Sequence, residues 1–173
     1  MKQVMLFVSG TIILAILSAC GTLTASSDSQ QVLDVASKIA DFDVPADFVP
    51  QFTATASGYT LAAYQGPSGP SHLFLIQSDK QTDGSELEKM LKELAPGSSN
   101  PRTRMTVIEN RTTTVRGQEV NVIISEGLNS DHVSYRQVTV GFQGKGGPAM
   151  LVFSDSAELW DPGTVDALLA SIQ

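Results

Sequence analysis

Few side chains in this 173-residue chain combine a reactive type with a spacing that chemistry requires. Gly66-Pro67-Ser68-Gly69 approaches the G-x-S-x-G elbow that presents a hydrolase serine on a sharp turn, but Pro70 stands where the last glycine belongs. The segment therefore reads as a proline-rich hairpin loop. His72 alternates with Phe74 and Ile76 and reads as a sheet residue. Asp41, Asp43 and Asp47 follow a D-x-D-x3-D spacing. A calcium loop needs an oxygen ligand at its fifth position and glycine at its sixth, which Pro45 and Ala46 occupy, and no glutamate closes it. These carboxylates read as a solvated helix end. His72 and His132 stand 60 residues apart without the cysteines or acidic neighbours of a zinc site. Gly144-Lys145-Gly146-Gly147 joins two strands, whereas a phosphate-binding loop opens a helix, so it reads as a hairpin turn. No catalytic residue, metal ligand or cofactor is expected.

Charge gives one asymmetry. The chain carries 11 basic and 18 acidic residues, a net −7 that speaks against nucleic-acid binding. Residues 101–145 nevertheless hold six basic and four acidic side chains, including all five arginines: Arg102, Arg104, Arg111, Arg116 and Arg136. Arg104, Arg111, Arg116 and Arg136 are the candidates for a face recognising an anionic partner, since arginine makes bidentate contacts to carboxylates and phosphates. The plainer reading, and the favoured one, is scattered solvent-facing strand residues that deter edge pairing.

Cys20 is the only cysteine, so the chain has no intramolecular disulfide. Met1-Lys2-Gln3 gives a positive start, Val4 to Leu17 is apolar apart from Ser9-Gly10-Thr11, and small residues follow. These are the parts of a secretory signal peptide, and the run is short of the roughly 20 residues a spanning helix needs. Leu17-Ser18-Ala19-Cys20 resembles a bacterial lipobox. The resemblance, confined to residues 1–20, implies a diacylglyceryl group on the Cys20 sulfur and cleavage just before that residue. Each buried methylene contributes about 0.8 kcal/mol, so two or three acyl chains hold a protein stably on a membrane. The expected division is a signal peptide over 1–19, a lipidated cysteine and flexible tether over 20–30, and a single domain over 31–173. The tether would span about 15–20 Å. From Cys20 onward the chain carries 10 basic and 18 acidic residues, and such a chain is expected to stand off anionic lipid.

The elements that must position any site follow from periodicity. Val32, Val35, Ala36 and Ile39 form one helical stripe, and Asp41 to Pro45 ends it. Strands are expected at 59–64 and 72–77, forming a hairpin around residues 66–70. Ser85 and Glu88 read as a capping box opening a second helix, with Leu87, Met90, Leu91 and Leu94 as its stripe. Four further strands, 104–115, 119–126, 133–143 and 148–154, read as an antiparallel meander. A last helix starts from Asp161 as N-cap with Pro162 in its first turn, and Val165, Leu168, Leu169 and Ile172 form its buried side.

This order resembles the PsbP-like superfold over residues 40–173. The residues that carry the resemblance are Val44-Pro45 leading into the first hairpin, the Ser85-Glu86-Leu87-Glu88 helix, the Val115-Arg116-Gly117-Gln118 hairpin, and Trp160 ahead of a helix ending Leu169-Ala170-Ser171-Ile172. The resemblance implies an antiparallel sheet between helices and non-enzymatic, assembly-related roles, and carries over no functional residue. The expected fold is thus α+β: about six strands in a β-β-α-β-β-β-β-α core, with an N-terminal helix. The expected function is a monomeric lipoprotein of the cell envelope, facing away from the cytoplasm and acting as a non-catalytic binding or assembly module. Its partners would be the membrane, through Cys20, and an unidentified protein or apolar ligand. A carrier of a lipid or other apolar molecule is the alternative, and an enzyme the least favoured.

Overall fold

The computed structural model describes residues 23–95 and 105–173. Cys20, Arg102 and Arg104 lie outside the described residues. Eight strands form one sheet: β1 (Thr24–Ser26), β2 (Val49–Ala56), β3 (Tyr59–Gln65), β4 (His72–Ser78), β5 (Thr106–Val115), β6 (Gln118–Leu128), β7 (Ser134–Gln143) and β8 (Pro148–Ser156). Three short helices accompany them: α1 (Ser29–Ile39), α2 (Gly84–Leu94) and α3 (Pro162–Ser171). The sheet order is β1-β2-β3-β4-β8-β7-β6-β5, with every neighbouring pair antiparallel.

The expected PsbP-like α+β core of about six strands is therefore wrong. The molecule is dominated by an eight-stranded antiparallel sheet, and its three helices are only 10 or 11 residues long. The two unforeseen strands lie at one edge. β2 reads VPQFTATA, poor in large β-formers and interrupted by Pro50, which sits beside a register shift where a ladder bond is missing anyway. Ser57 and Gly58, both at positive φ (53° and 86°), form the tight turn that returns β2 onto β3. β1 is three small residues, Thr24 to Ser26, paired with Thr55, Ala54 and Thr53. Part of the expected tether is thus the sheet's edge strand.

The second helix also starts differently from the expected capping box. Asp83, not Ser85, is the N-cap: its carboxylate accepts from the Glu86 N–H at 3.0 Å, while the Ser85 hydroxyl donates to the same carboxylate at 2.6 Å. Glu88 pairs with Lys92 instead of reaching back. Asp161 does cap α3, accepting from the N–H groups of Gly163 and Thr164.

Strand alternation gives the sheet two apolar faces. On one, Leu73, Leu75, Val122, Val138, Val140, Leu151 and Phe153 pack against Val32 and Ile39 of α1 and Val165, Leu168 and Leu169 of α3. On the other, Leu61, Phe74, Ile76, Met150 and Val152 meet Leu87, Leu91 and Leu94 of α2. Because α2 packs on β2, β3, β4 and β8, that face of β6 and β7 carries mainly polar residues: Asn121, Ser125, Gln137 and Thr139, with Ile123 among them.

Candidate functional site

The serine loop and the last strand meet at one end of the sheet. The Gly66 N–H bonds to the Ser71 carbonyl at 2.8 Å, closing the loop between β3 and β4. A Cβ at Gly66 would fall 2.6 Å from the Phe48 ring, so only glycine lets that ring pack against the loop. Ser71 is fully buried, and its hydroxyl donates to Asp155 Oδ1 at 2.5 Å, while Ser68 Oγ lies 2.5 Å from Ser71 Oγ. Asp155 Oδ1 also accepts from the Ser156 N–H at 2.8 Å.

His72 does not join this group. It pairs with Ser154 across β4 and β8, on the opposite face of the sheet from Ser71 and Asp155, and stacks on Phe74 at 5.6 Å. Burial lowers its pKa below the usual histidine range, with the Gly69 backbone partly opposing the shift. Its Nδ1 is buried and has no hydrogen-bond partner among the described residues. The side chains needed for serine nucleophilic catalysis are thus divided by the pleat: a serine and a carboxylate below, a neutral imidazole above. His132 lies exposed in the turn between β6 and β7, far along the chain from His72.

Next to the Ser71–Asp155 pair is a surface hollow of about 430 Å³. Residues 43–48 form one wall, Pro67 and the end of β8 the second, and Leu159 to Leu168 the third. The Phe48 N–H bonds to the Pro45 carbonyl at 3.0 Å, curling the 45–48 segment so that Phe48 packs on Phe153 with ring centroids 5.3 Å apart. The Asp43 N–H donates to Ser171 Oγ at 2.9 Å, tying this segment to the end of α3. Phe48, Phe153, Leu159 and Leu168 supply apolar surface; Asp43, Asp47, Asp155 and Asp161 supply four carboxylates, and none of the described residues that line the hollow is basic. Asp161 is committed to its cap, and its hydrogen bonds with Thr164 and Gly163 hold its pKa below the usual carboxylate range.

The acidic triplet noted in the sequence is split. Asp43 and Asp47 face the hollow, whereas Asp41 pairs with Lys145 at 2.7 Å. Among the described residues no group of three or more His, Cys, Asp or Glu side chains could hold a metal ion. The glycine-rich turn is a clasp on α1: the Lys145 N–H bonds to the Ile39 carbonyl and its ammonium to the Ser37 carbonyl, at 2.8 and 2.9 Å, where a cation also favours the helix dipole.

The described arginines have internal partners. Arg111 binds Glu109 and Asp166, Arg136 binds Glu126 at 2.8 Å, and Arg116 donates to the Gln143 carbonyl at 2.8 Å. Each lies with a different partner, so the structure does not gather Arg111, Arg116 and Arg136 into one free anionic-recognition cluster; Arg104 lies outside the described residues.

Sequence reasoning missed the hollow because its walls come from segments more than 100 residues apart. The one local signal was Asp47-Phe48, a carboxylate followed by a large aromatic in a proline-bounded turn. Comparison with known proteins finds no matching family model and no similar curated protein.

Proposed function

We propose that this chain is a lipid-anchored, extracytoplasmic binding module without a catalytic role, held on a bacterial membrane through Cys20. Its binding site is the hollow at the start of α3, and its ligand is a cationic group on an apolar body, such as a small amine or a basic side chain of a partner protein. The observation that carries this reading is the combination of apolar walls with four carboxylates and no basic residue among the described residues of the lining. Apolar surface rewards burial of a hydrocarbon body, while the carboxylates around it favour a positive end and disfavour a negative one. The volume of about 430 Å³ falls within the range of small-molecule sites. By contrast, the space between sheet and helices, where a lipid carrier would hold its cargo, is filled by side chains such as Leu73, Leu75 and Leu151, all fully buried.

Trp160 is the only tryptophan and packs, tilted by 47°, with its ring centroid 5.9 Å from that of Phe153, a wall of the hollow, so its fluorescence reports on the site through that ring. Titration with phenethylamine should give a saturable change, weakened by salt, whereas phenylpropionate, of similar shape and opposite charge, should give none. Replacing Asp43 and Asp47 together by asparagine should raise the amine's Kd several-fold. Equal responses to both probes, or no response to either, would overturn the assignment. The anchor is tested separately by intact mass, which should show an acylated chain beginning at Cys20.

A further inference from the structure

We infer that the groove beside β1 rests on the bilayer surface, so that the domain is held with this edge against the membrane instead of swinging on a long leash. The inference rests on the proposal that Cys20 carries lipid. β1 begins at Thr24, four residues beyond Cys20. A fully extended chain spans at most about 3.6 Å per residue, so the anchored cysteine lies within about 14 Å of the strand. Pairing of Thr24, Ala25 and Ser26 with β2 leaves no further slack on the domain side.

What lies at that edge is apolar. Leu23, Ala25, Phe52, Ala54 and Leu94 line an open groove of about 440 Å³, with Glu93 the one charged residue among the described residues that line it. Leu23 is 66% exposed and adjoins Phe52 and Leu94, so the apolar surface at this edge is contiguous and not a lone side chain. The occupant is the lipid interface and not a second copy, because the short connection holds this groove at the headgroups continuously, whereas a second copy must arrive by diffusion. The stand-off expected from the chain's net negative charge is an average over the whole surface. This groove, with a single carboxylate, contributes little of that repulsion.

The test uses the full lipidated protein in vesicles of phosphatidylethanolamine and phosphatidylglycerol whose acyl chains carry bromine. A fluorescent thiol probe is placed on S27C, at the groove, or on Q118C, at the start of β6 near the opposite edge, six strand spacings or about 28 Å away. Quenching at S27C should exceed that at Q118C several-fold. L23D, at an exposed position, should remove the difference while the protein still floats with the vesicles. Equal quenching at the two sites in a floating, acylated protein would overturn the docking inference alone. A protein that neither floats nor carries acyl mass would instead remove the lipid-anchor reading, and the inference with it.

Discussion

At the scale of single residues, burial decides what the reactive side chains can do. His72 and Ser71 are adjacent in sequence, yet the period-two alternation of a strand sends them to opposite faces. His72 ends up beside Phe74 with an unpaired Nδ1. A histidine whose folded pKa is lowered is held neutral in the native state, while the unfolded chain takes up a proton near pH 6.5. Between that pH and the lower folded pKa the unfolded state binds more protons, so stability rises with pH across this window and is lost as pH falls through it. His72→Phe keeps a ring stacked on Phe74 and removes the orphaned nitrogen. It should leave urea stability at pH 7 equal or higher and flatten the decline that begins as pH falls below about 6.5. An unchanged slope in that window, measured by urea midpoints, would show that His72 is not its source. The alternation with Phe74 and Ile76 was readable in the sequence; the hollow's carboxylates were not, because Asp155 and Asp161 join Asp43 and Asp47 only through the tertiary fold.

Among the elements, those with strong periodic apolar patterns were legible and those defined by their neighbours were not. The stripes of α1, α2 and α3 and the alternation of Val120, Val122 and Ile124 need only the chain itself to be recognised. β1 and β2 have no such signal. Val49–Ala56 buries only Thr53 and Ala54, and Thr24–Ser26 buries nothing fully; both are strands because β3 offers an edge and β2 then offers another. The Ser57-Gly58 dipeptide was the one clue to the β2–β3 hairpin. This changes what truncation should do. A chain beginning at Ser29 loses β1 and also Asp28, whose carboxylate caps α1 by accepting from the Gln31 N–H at 2.9 Å. Relative to a chain beginning at Leu23, it should melt at lower temperature, by several degrees, and self-associate through the uncovered β2 edge. Identical melting and a monomeric sedimentation profile for both would mean that β1 adds nothing to the fold.

For the molecule as a whole, the decisive feature is that the last strand in the chain is central in the sheet. β1 to β4 form one consecutive antiparallel unit and β5 to β7 another, and β8 joins them by pairing with β4 on one side and β7 on the other. Leu75 faces Leu151 and Leu73 faces Phe153 across a chain separation of more than 70 residues, so the join is non-local. Both apolar cores use β4 and β8, one on each face, and neither can melt without disturbing the strands that carry the other. The loop-closure cost of bringing β8 to β4 must be met before the reward of two full ladders arrives, which places this pairing in the rate-limiting step. Leu151→Ala, at a fully buried site, should cost about 2–5 kcal/mol of a domain stability of about 5–15 kcal/mol, a change large enough for kinetic partition to be read. Most of that loss should appear as slower refolding. Leu87→Ala, on the locally formed α2, removes a similar side chain at 2% exposure and should act mainly by faster unfolding. Stopped-flow chevrons of the two variants separate these outcomes. If Leu151→Ala refolds at the parent's rate, the two strand units must associate by some route other than β8, with this strand inserting only after the barrier.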